Sequence, residues 1–244
     1  EQQAARFGLV TKFATVQELV LSGDIKRIEC GKKVFFARTV ILAMGAQPRL
    51  LGIPGEVEQM GTGVSYCATC DGAFFRGMPV AVVGGGDTAI SDALYLARFA
   101  QHVYVVHRRD TLRATQVLQD AARQEPSIEF VFDTMPEEVV GGDAVEGLRV
   151  KNKSNGEERT LAVKGIFVAV GTTPRSALVQ NLLDCDAGGY IKTDAHMRTS
   201  IPGVYAAGDV RVTPLRQVVT AAADGAVAAT MAVEYLIQQG GSPQ

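Results

Sequence analysis

Two cysteines separated by two residues offer the clearest chemistry in this sequence. They lie in "YCATCDGAFF" as Cys67 and Cys70, and Asp71 follows directly. A CxxC pair can form a redox-active disulfide, half of a zinc site or a structural disulfide. A structural zinc would need a second CxxC or a paired histidine motif, and neither Cys30, Cys185 nor the histidines have ligand spacing. The sequence therefore predicts no metal site, and it leaves the two disulfide interpretations open.

The segment after the cysteines predicts a strand, a tight turn and a helix. It reads "MPVAVVGGGDTAISDALYLARFA", with an apolar run over 80–83 and a helical pattern over 88–100. Gly84, Gly86 and Ala89 fit the dinucleotide fingerprint G-x-G-x-x-A. The first glycine permits the turn, the second lets the backbone approach a pyrophosphate, and the alanine allows close packing of helix on strand. The start of the helix then offers free N–H groups to phosphates.

The next strand, "HVYVVHRR", leads into a basic cluster. His107, Arg108, Arg109 and Arg113 follow where NAD-binding folds usually place an acid for the ribose 2′-hydroxyl. Three arginines suit a 2′-phosphate, because guanidinium groups bind phosphate oxygens through bidentate, charge-assisted hydrogen bonds. The cluster therefore favours NADP over NAD, and the alternative is a solvated basic start of the next helix.

A second glycine-containing strand end occurs near the end of the sequence. The stretch "GVYAAGDVRVTPLRQ" predicts a short strand that ends in Gly208 and Asp209. An acid after a glycine at the carboxyl end of a strand lies where α/β sheets bind ligands. The alternative is that this acid caps the following helix.

The elements around these motifs predict an α/β fold. After the first buried strand the pattern continues as helix, strand, a helix over 114–124 and another strand, the start of a parallel, doubly wound sheet. Residues 137–164 change to short strands with Gly and Asn-Gly turns, which predicts a small antiparallel meander. Strands are also predicted over 8–23 and 33–45, and a long helix over 215–238.

Composition and charge exclude several classes of protein. The chain has 244 residues and a formal charge of −2, with 47% hydrophobic and 20% charged residues, which is ordinary for one large or two modest globular domains. This balance gives no reason to expect nucleic acid or membrane partners. No apolar run approaches the roughly 20 residues that span a bilayer. The charged N-terminus lacks a signal-peptide core, so we expect a cytoplasmic protein.

The order of the motifs resembles that of the low-molecular-weight thioredoxin reductases. "CATCD", "VVGGGDTA", "HRR…R", "VAVG", and "AAGD" with "RQ" before the last helix are the segments that carry this resemblance, which covers Ala4 to Leu236. It implies two Rossmann-like, doubly wound nucleotide-binding domains with antiparallel meanders. The FAD-binding domain would be discontinuous, over 1–50 and 171–244, and the NADPH-binding domain would be 51–170 and carry the CxxC. No G-x-G-x-x-G precedes residue 40, so we expect the FAD domain to be incomplete at its N-terminal side.

The resemblance also implies an electron path from NADPH to FAD, then to the CxxC disulfide and thioredoxin. Cys70 would face the flavin, Cys67 would attack the disulfide of thioredoxin, and Asp71 would carry the proton of the departing thiolate. The residues implied for NADPH are Gly84, Gly86, Asp87, Thr88, Ala89, His107, Arg108, Arg109, Arg113 and Gly171. The residues implied for FAD are Gly45, Gly208, Asp209, Arg216, Gln217 and Val218. The family also implies a homodimer.

Three alternative functions compete with this interpretation. Because the main cradle of FAD is missing from the sequence, the chain could be a flavin-free nucleotide-binding remnant or a redox-sensing module. It could also be a dithiol oxidase of the same fold that uses oxygen, although the arginine cluster argues against that. The last alternative is a peroxiredoxin-linked reductase, whose nucleotide site usually lacks the arginine triplet.

Overall fold

The computed structural model describes residues 2–240, which form two compact units. Unit 1 lies within Glu1–Gln47 and Thr173–Gln244, and unit 2 is Pro48–Thr172. The described helices, in chain order, are α1 (Gln2–Ala5), α2 (Ala68–Asp71), α3 (Asp87–Ala97), α4 (Gln116–Gln124) and α5 (Val218–Gln238). The described strands are β1 (Glu18–Val20), β2 (Lys26–Cys30), β3 (Lys33–Ala37), β4 (Val40–Leu42), β5 (Ala46–Pro48), β6 (Val64–Ser65), β7 (Pro79–Val83), β8 (His102–Val106), β9 (Ile128–Val131), β10 (Thr134–Gly141), β11 (Val145–Asn152), β12 (Glu158–Leu161), β13 (Gly165–Val168), β14 (Thr172–Pro174) and β15 (Val204–Ala206).

Unit 2 is built on a five-stranded parallel sheet with the order β6-β13-β7-β8-β9. The chain passes from β7 through α3 to β8 and through α4 to β9, and β13 then pairs with the other side of β7. The strand order therefore reverses between β7 and β13. In open parallel sheets, ligands bind at such a switch point, beyond the carboxyl ends of the strands.

The central strand β7 is buried on both faces. Val80 and Val82 belong to the cluster that contains the buried side of α3, whereas Ala81 and Val83 belong to the cluster that contains the meander. This double burial explains why β7 has a continuous apolar sequence and not an alternating one. Unit 2 therefore consists of a helical layer, the parallel sheet and the antiparallel sheet β10-β11-β12. The antiparallel sheet is the meander predicted for 137–164.

Unit 1 has smaller sheets. Strands β1, β2 and β3 form an antiparallel sheet, and β4 pairs in parallel with β15. The strands predicted over 8–23 are wrong for residues 9–17, which are exposed and form neither a helix nor a strand. An alternating sequence forms a strand only where a neighbouring strand accepts its hydrogen bonds, and here that pairing begins at Gln17, whose N–H donates to Glu29 O (2.8 Å).

These features confirm the predicted α/β fold class. The predicted helices shift by a few residues: the one over 88–100 is Asp87–Ala97, the one over 114–124 is Gln116–Gln124, and the last begins at Val218. None of the helices in the described part of the chain combines the length and the apolar character that a bilayer span requires. The chain crosses between the units at 47–48 and 172–173. Which nucleotide each unit binds stays a prediction.

Candidate active site

Cys67 and Cys70 form a disulfide at the start of the one-turn helix α2. The two sulfur atoms are 2.02 Å apart. Cys67 is the N-cap residue, and its Sγ accepts the backbone N–H of Cys70 at 3.2 Å. Cys67 is half-buried, whereas Cys70 is exposed. The disulfide is therefore accessible to small reductants from the side of Cys70, as a redox pair requires.

A buried serine joins Asp71 to this disulfide. The Ser65 hydroxyl donates to Asp71 Oδ2 at 2.6 Å and accepts the backbone N–H of Cys67 at 3.1 Å. Ser65 is 6% exposed and ends strand β6, so the parallel sheet fixes its position. Asp71 also lines a cavity of about 740 Å³, together with Phe74 and other residues. Water in this cavity can therefore reach Asp71 while Ser65 holds its carboxylate. The sequence did not indicate Ser65, because no motif includes a serine two residues before the first cysteine.

Close packing fixes the glycine turn after β7. A Cβ atom on Gly84 would lie 2.5 Å from Ala169 O and 2.7 Å from the Cβ of Ala89, which is fully buried. A Cβ on Gly86 would meet no atom within 4 Å, so this glycine faces open space. Gly85, which is not part of the fingerprint, is also restricted, since its Cβ would lie 2.4 Å from two atoms of the His107 ring. The sequence interpretation missed Gly85.

His107 lies against Gly85 of the glycine turn and supports the basic loop that follows β8. It is 6% exposed, and burial lowers the pKa of its ring, so the neutral form is favoured. Its Nε2 lies 3.1 Å from the carbonyl oxygen of Thr111 and donates to it. The backbone N–H groups of Arg113 and Ala114 donate to Gly85 O at 2.7 and 3.2 Å. The structure therefore places His107 as a support for the loop.

The helix start holds the far end of the same loop. Asp87, in the first turn of α3, accepts the backbone N–H of Thr115 at 2.7 Å through Oδ1. Thr88 follows and is exposed, as are Arg108 and Arg109. The main chain of the loop is thus bonded to the glycine turn, while its arginine side chains extend into solvent.

A cleft of about 390 Å³ opens at the switch point of the unit 2 sheet. Its lining includes three residues that the sequence predicted for the nucleotide, Gly84, Arg108 and Arg113. It also includes Gly85, which was not predicted. Three arginines and no carboxylate occur among its described lining residues. The remaining lining residues are Arg49, Leu50, Leu51, Ile53, Val83, Val106, His107, Thr134, Met135, Pro136, Ala169 and Val170. An anion with an apolar portion fits this charge and these walls.

Several predicted NADPH residues lie outside the lining of this cleft. They are Gly86, Asp87, Thr88, Ala89, Arg109 and Gly171. Gly171 adjoins the cleft wall, since its carbonyl oxygen accepts the N–H of Arg49 at 3.0 Å. Arg49 itself was missed, because an isolated arginine after a proline carries no motif.

In unit 1, Gly45 and Gly208 follow the paired strands β4 and β15. Because those strands are parallel, both glycines lie at the same edge of the pair. Gly208 has φ +73°, a conformation that favours glycine, and its N–H donates to Asp224 Oδ2 at 3.0 Å. Arg211 binds the same carboxylate through two hydrogen bonds of 2.6 and 2.7 Å. This largely buried ion pair, which the sequence did not reveal, holds the turn that carries Asp209.

The segment before α5 supplies further donors. The Arg216 guanidinium lies over the Tyr190 ring at 4.1 Å, and its buried Nε has no hydrogen-bond partner among the described residues. Gln217 caps α5 in a capping box with Thr220. Val218 is 88% exposed at the first turn. An unpaired buried donor beside an open helix start fits a ligand with acceptor atoms and an apolar face, as FAD has.

The motifs and the fold agree with known proteins. A family model described as "Pyridine nucleotide-disulphide oxidoreductase" matches residues 10–225. A thioredoxin reductase of Peptoclostridium acidaminophilum is 48% identical over 242 residues, which cover 97% of this chain and 77% of that protein. A bifunctional thioredoxin reductase/thioredoxin of Mycobacterium leprae is 46% identical and is matched over 99% of this chain and 53% of its own length.

A solved structure shows the same fold. The thioredoxin reductase from Streptococcus pyogenes superposes with a TM-score of 0.92 at 43% sequence identity, covering 97% of this chain and 78% of that one. The resemblance inferred from the motifs is thereby confirmed. The chain belongs to the pyridine nucleotide-disulphide oxidoreductase family and, within it, to the low-molecular-weight thioredoxin reductases.

Proposed function

We propose that this chain is an NADPH-dependent, FAD-containing reductase that passes electrons through the Cys67–Cys70 disulfide to thioredoxin. Family membership establishes an oxidoreductase with a CxxC pair, and the choice of NADPH, FAD and thioredoxin is the proposal. The observation that carries it is the combination, within unit 2, of this disulfide with an arginine-lined cleft at the switch point of a parallel sheet.

NADPH binding is assigned to the cleft in unit 2. Arg108 and Arg113 line it and would bind the 2′-phosphate, while Gly84, Gly85 and the start of α3 would face the pyrophosphate. The proposed NADPH set is completed by His107, which also lines the cleft, and by Gly86, Asp87, Thr88, Ala89, Arg109 and Gly171.

FAD binding is assigned to unit 1. Gly45, Gly208, Asp209, Arg216, Gln217 and Val218 would hold it, and Arg216 Nε would gain an acceptor there. When bound, FAD supplies a relay that accepts two electrons from NADPH and passes them to a disulfide.

The cysteines and Asp71 would carry out thiol–disulfide exchange. After reduction, the Cys67 thiolate keeps the N–H of Cys70 as a donor, which stabilises its charge. It attacks one sulfur of the substrate disulfide, so that a Cys67–substrate bond forms and the substrate S–S bond breaks. The departing substrate thiolate takes a proton from Asp71, which Ser65 positions. The Cys70 thiol gives its proton to the Asp71 carboxylate and attacks Cys67 Sγ. The Cys67–substrate bond breaks, the intramolecular disulfide re-forms, and the second substrate thiolate takes the proton from Asp71, which leaves a substrate dithiol.

Cys67→Ser tests the assignment of the cysteines. With FAD and NADPH supplied, we expect flavin reduction by NADPH to persist and reduction of thioredoxin to stop, because the attacking thiolate is gone. Flavin absorbance and insulin-coupled thioredoxin turnover measure the two steps. Cys185→Ser is the matched control and should turn over normally. Continued thioredoxin reduction by Cys67→Ser would contradict the assignment.

The nucleotide assignment is tested by replacing Arg108 and Arg113 with alanine. Each lost charge-assisted hydrogen bond to phosphate removes about 1.5–3 kcal/mol, so NADP⁺ binding should weaken strongly while NADH binding hardly changes. Isothermal titration measures both. Arg109→Ala, which lies outside the cleft lining, should have a smaller effect. Equal losses for both nucleotides would argue against recognition of the 2′-phosphate.

The alternative functions predict other outcomes of the same experiments. A chain that binds NADPH but retains no flavin would be a nucleotide-binding or redox-sensing module. Reoxidation of the dithiol by oxygen, without NADPH turnover, would favour the dithiol oxidase. We also propose a homodimer and a cytoplasmic location, on the resemblance alone, and light scattering of the purified chain tests the dimer.

A further inference from the structure

Glu56 is a buried carboxylate that accepts hydrogen bonds from two different parts of unit 2. It is 1% exposed. Its Oε1 and Oε2 accept the backbone N–H groups of Leu51 and Gly52, each at 2.8 Å. Oε1 also accepts the phenol hydroxyl of Tyr66 at 2.9 Å. A buried carboxylate needs donors of this kind to offset the loss of water.

The two backbone donors belong to the wall of the nucleotide cleft. Leu51 lines the cleft, together with its neighbours Leu50 and Ile53. Gly52 has φ +75°, so the chain reverses there in a conformation that the bond to Glu56 fixes. One carboxylate therefore binds the main chain of this wall at two successive residues.

The third donor belongs to the arm that carries the disulfide. Tyr66 directly precedes Cys67 and follows Ser65, which binds the Cys67 N–H. Burial and the neighbouring Glu56 raise the pKa of the Tyr66 phenol well above its ordinary value, so it stays protonated and continues to donate. Movement of the arm away from the cleft wall would break this bond.

We propose that Glu56 is a positioning residue that fixes the wall of the nucleotide cleft and the disulfide arm relative to each other. The inference rests on the proposed function, because it assigns NADPH to the cleft and redox chemistry to the disulfide. Both partners lie in unit 2, so the link operates within a single unit. Glu56 does not act as an acid or base in this role, since its donors are backbone amides and a phenol.

Two variants separate the two sides of the link. Tyr66→Phe removes only the bond to the arm, whereas Glu56→Gln replaces one acceptor oxygen with an amide donor and disturbs the wall as well. Both are measured in the full chain. Isothermal titration gives the dissociation constant of NADP⁺, and stopped-flow mixing with dithiothreitol gives the rate of reduction of the Cys67–Cys70 disulfide.

For Tyr66→Phe we expect an unchanged NADP⁺ dissociation constant and faster reduction by dithiothreitol, because attack on the half-buried Cys67 is added to attack on the exposed Cys70. For Glu56→Gln we expect the same faster reduction and NADP⁺ binding weakened about tenfold, the effect of one buried donor left without an acceptor. A purely stabilising role would not separate the two measurements in this way. Glu58→Gln, an exposed neighbour, is the control and should change neither quantity.

Unchanged values for both quantities in Glu56→Gln would overturn the proposal, and so would a Tyr66→Phe variant with the wild-type reduction rate. If Glu56→Gln fails to fold, Tyr66→Phe alone decides, because it keeps both bonds to the wall. If the wild-type chain does not bind NADP⁺, the proposed function fails, whereas the reduction rate still tests the arm side of the link.

Discussion

The two glycine turns of this protein are held by different forces. In unit 2, steric contact fixes the turn after β7, because Gly84 and Gly85 leave no room for a side chain. In unit 1, the turn that contains Gly208 is held by a largely buried ion pair between Arg211 and Asp224. The first turn should therefore respond to added volume and the second to lost charge.

The helices that follow the two turns also differ in how they are held, by apolar packing in unit 2 and by polar contacts in unit 1. Helix α3 buries a continuous side made of Ala89, Ile90, Ala93 and Leu96. Helix α5 is 21 residues long, yet among its described residues only Asp224, Ala228 and Ala232 are buried. Unit 2 therefore holds its helix by packing, whereas unit 1 depends more on individual polar contacts.

The largest expected effect is that of Asp224→Ala. The substitution leaves the Arg211 guanidinium, 15% exposed, without its carboxylate and the Gly208 N–H without its acceptor. Breaking a buried pair on one side costs about 3–5 kcal/mol, and chemical denaturation should show a loss of this size.

Glu138→Ala is the control for Asp224→Ala. It removes the partner of Arg149 in a pair whose side chains are 35% and 46% exposed. Exposed pairs contribute about 0–1 kcal/mol. Equal losses for the two variants would show that the ion pair does not hold the turn of unit 1.

Gly85→Ala should have the next largest effect. The added methyl group would meet the His107 ring at 2.4 Å, and such overpacking costs about 1–3 kcal/mol. Displacement of the loop should also weaken NADP⁺ binding. Gly86→Ala is the matched control: it meets no atom within 4 Å and should leave the free energy of unfolding unchanged. If Gly85→Ala is as stable as the wild type, steric contact does not fix this turn.

Two aspartates should give the units opposite responses to pH. Burial raises the pKa of Asp92, in α3, to about 6, whereas hydrogen bonds from Arg211 lower the pKa of Asp224. The contribution of Asp92 to the free energy of unfolding is fully present below the ordinary aspartate pKa of about 3.9. It is lost as the pH rises through the raised pKa of about 6. The contribution of Asp224 to the free energy of unfolding is fully present above a pH of about 3.9 and is lost as the pH falls through its lowered pKa.

Asp92→Asn tests this difference. At pH 8 the variant should be more stable than the wild type by about 1–2 kcal/mol, allowing for partial solvent screening. At pH 5 the gain should shrink, because the wild-type carboxyl is then largely protonated. His107, whose pKa burial lowers, acts in the opposite direction but is present in both proteins. A gain in stability that does not depend on pH would contradict the raised pKa of Asp92.

The smallest expected effect is that of Val218→Ser. Because the side chain is 88% exposed, stability without ligand should change by no more than about 0.5 kcal/mol. FAD affinity, measured by fluorescence quenching, should fall if the start of α5 contacts the flavin. Destabilisation of the ligand-free chain would show that this helix start is packed in solution.

The sequence predicted those parts of the fold whose signals are local. The strand 80–83, the glycine turn and the following helix can be predicted because their apolar residues and turn glycines are contiguous in the sequence. Residues 9–17 were predicted wrongly, because alternation says nothing about whether a partner strand is present. The helix predicted over 88–100 ends at Ala97, where a tighter turn brings the N–H of Phe99 to Leu96 O.

The candidate site was predictable to a similar extent. Cys67, Cys70 and Asp71 are adjacent in sequence, and the arginine cluster follows a recognisable strand. Ser65 and Glu56 were not found, because their importance depends on hydrogen bonds formed only in the folded chain. The contact between Gly85 and His107 joins residues of two different strand ends, and no spacing rule predicts it.

The loop between β8 and α4 has a consequence for protein engineering. Its main chain is anchored by the bonds from Arg113, Ala114 and Thr115 to the glycine turn and to Asp87, none of which uses an arginine side chain. The guanidinium groups can therefore be exchanged for other side chains without altering the scaffold. If the loop recognises the 2′-phosphate as proposed, its arginines can be redesigned toward NADH without loss of thermal stability.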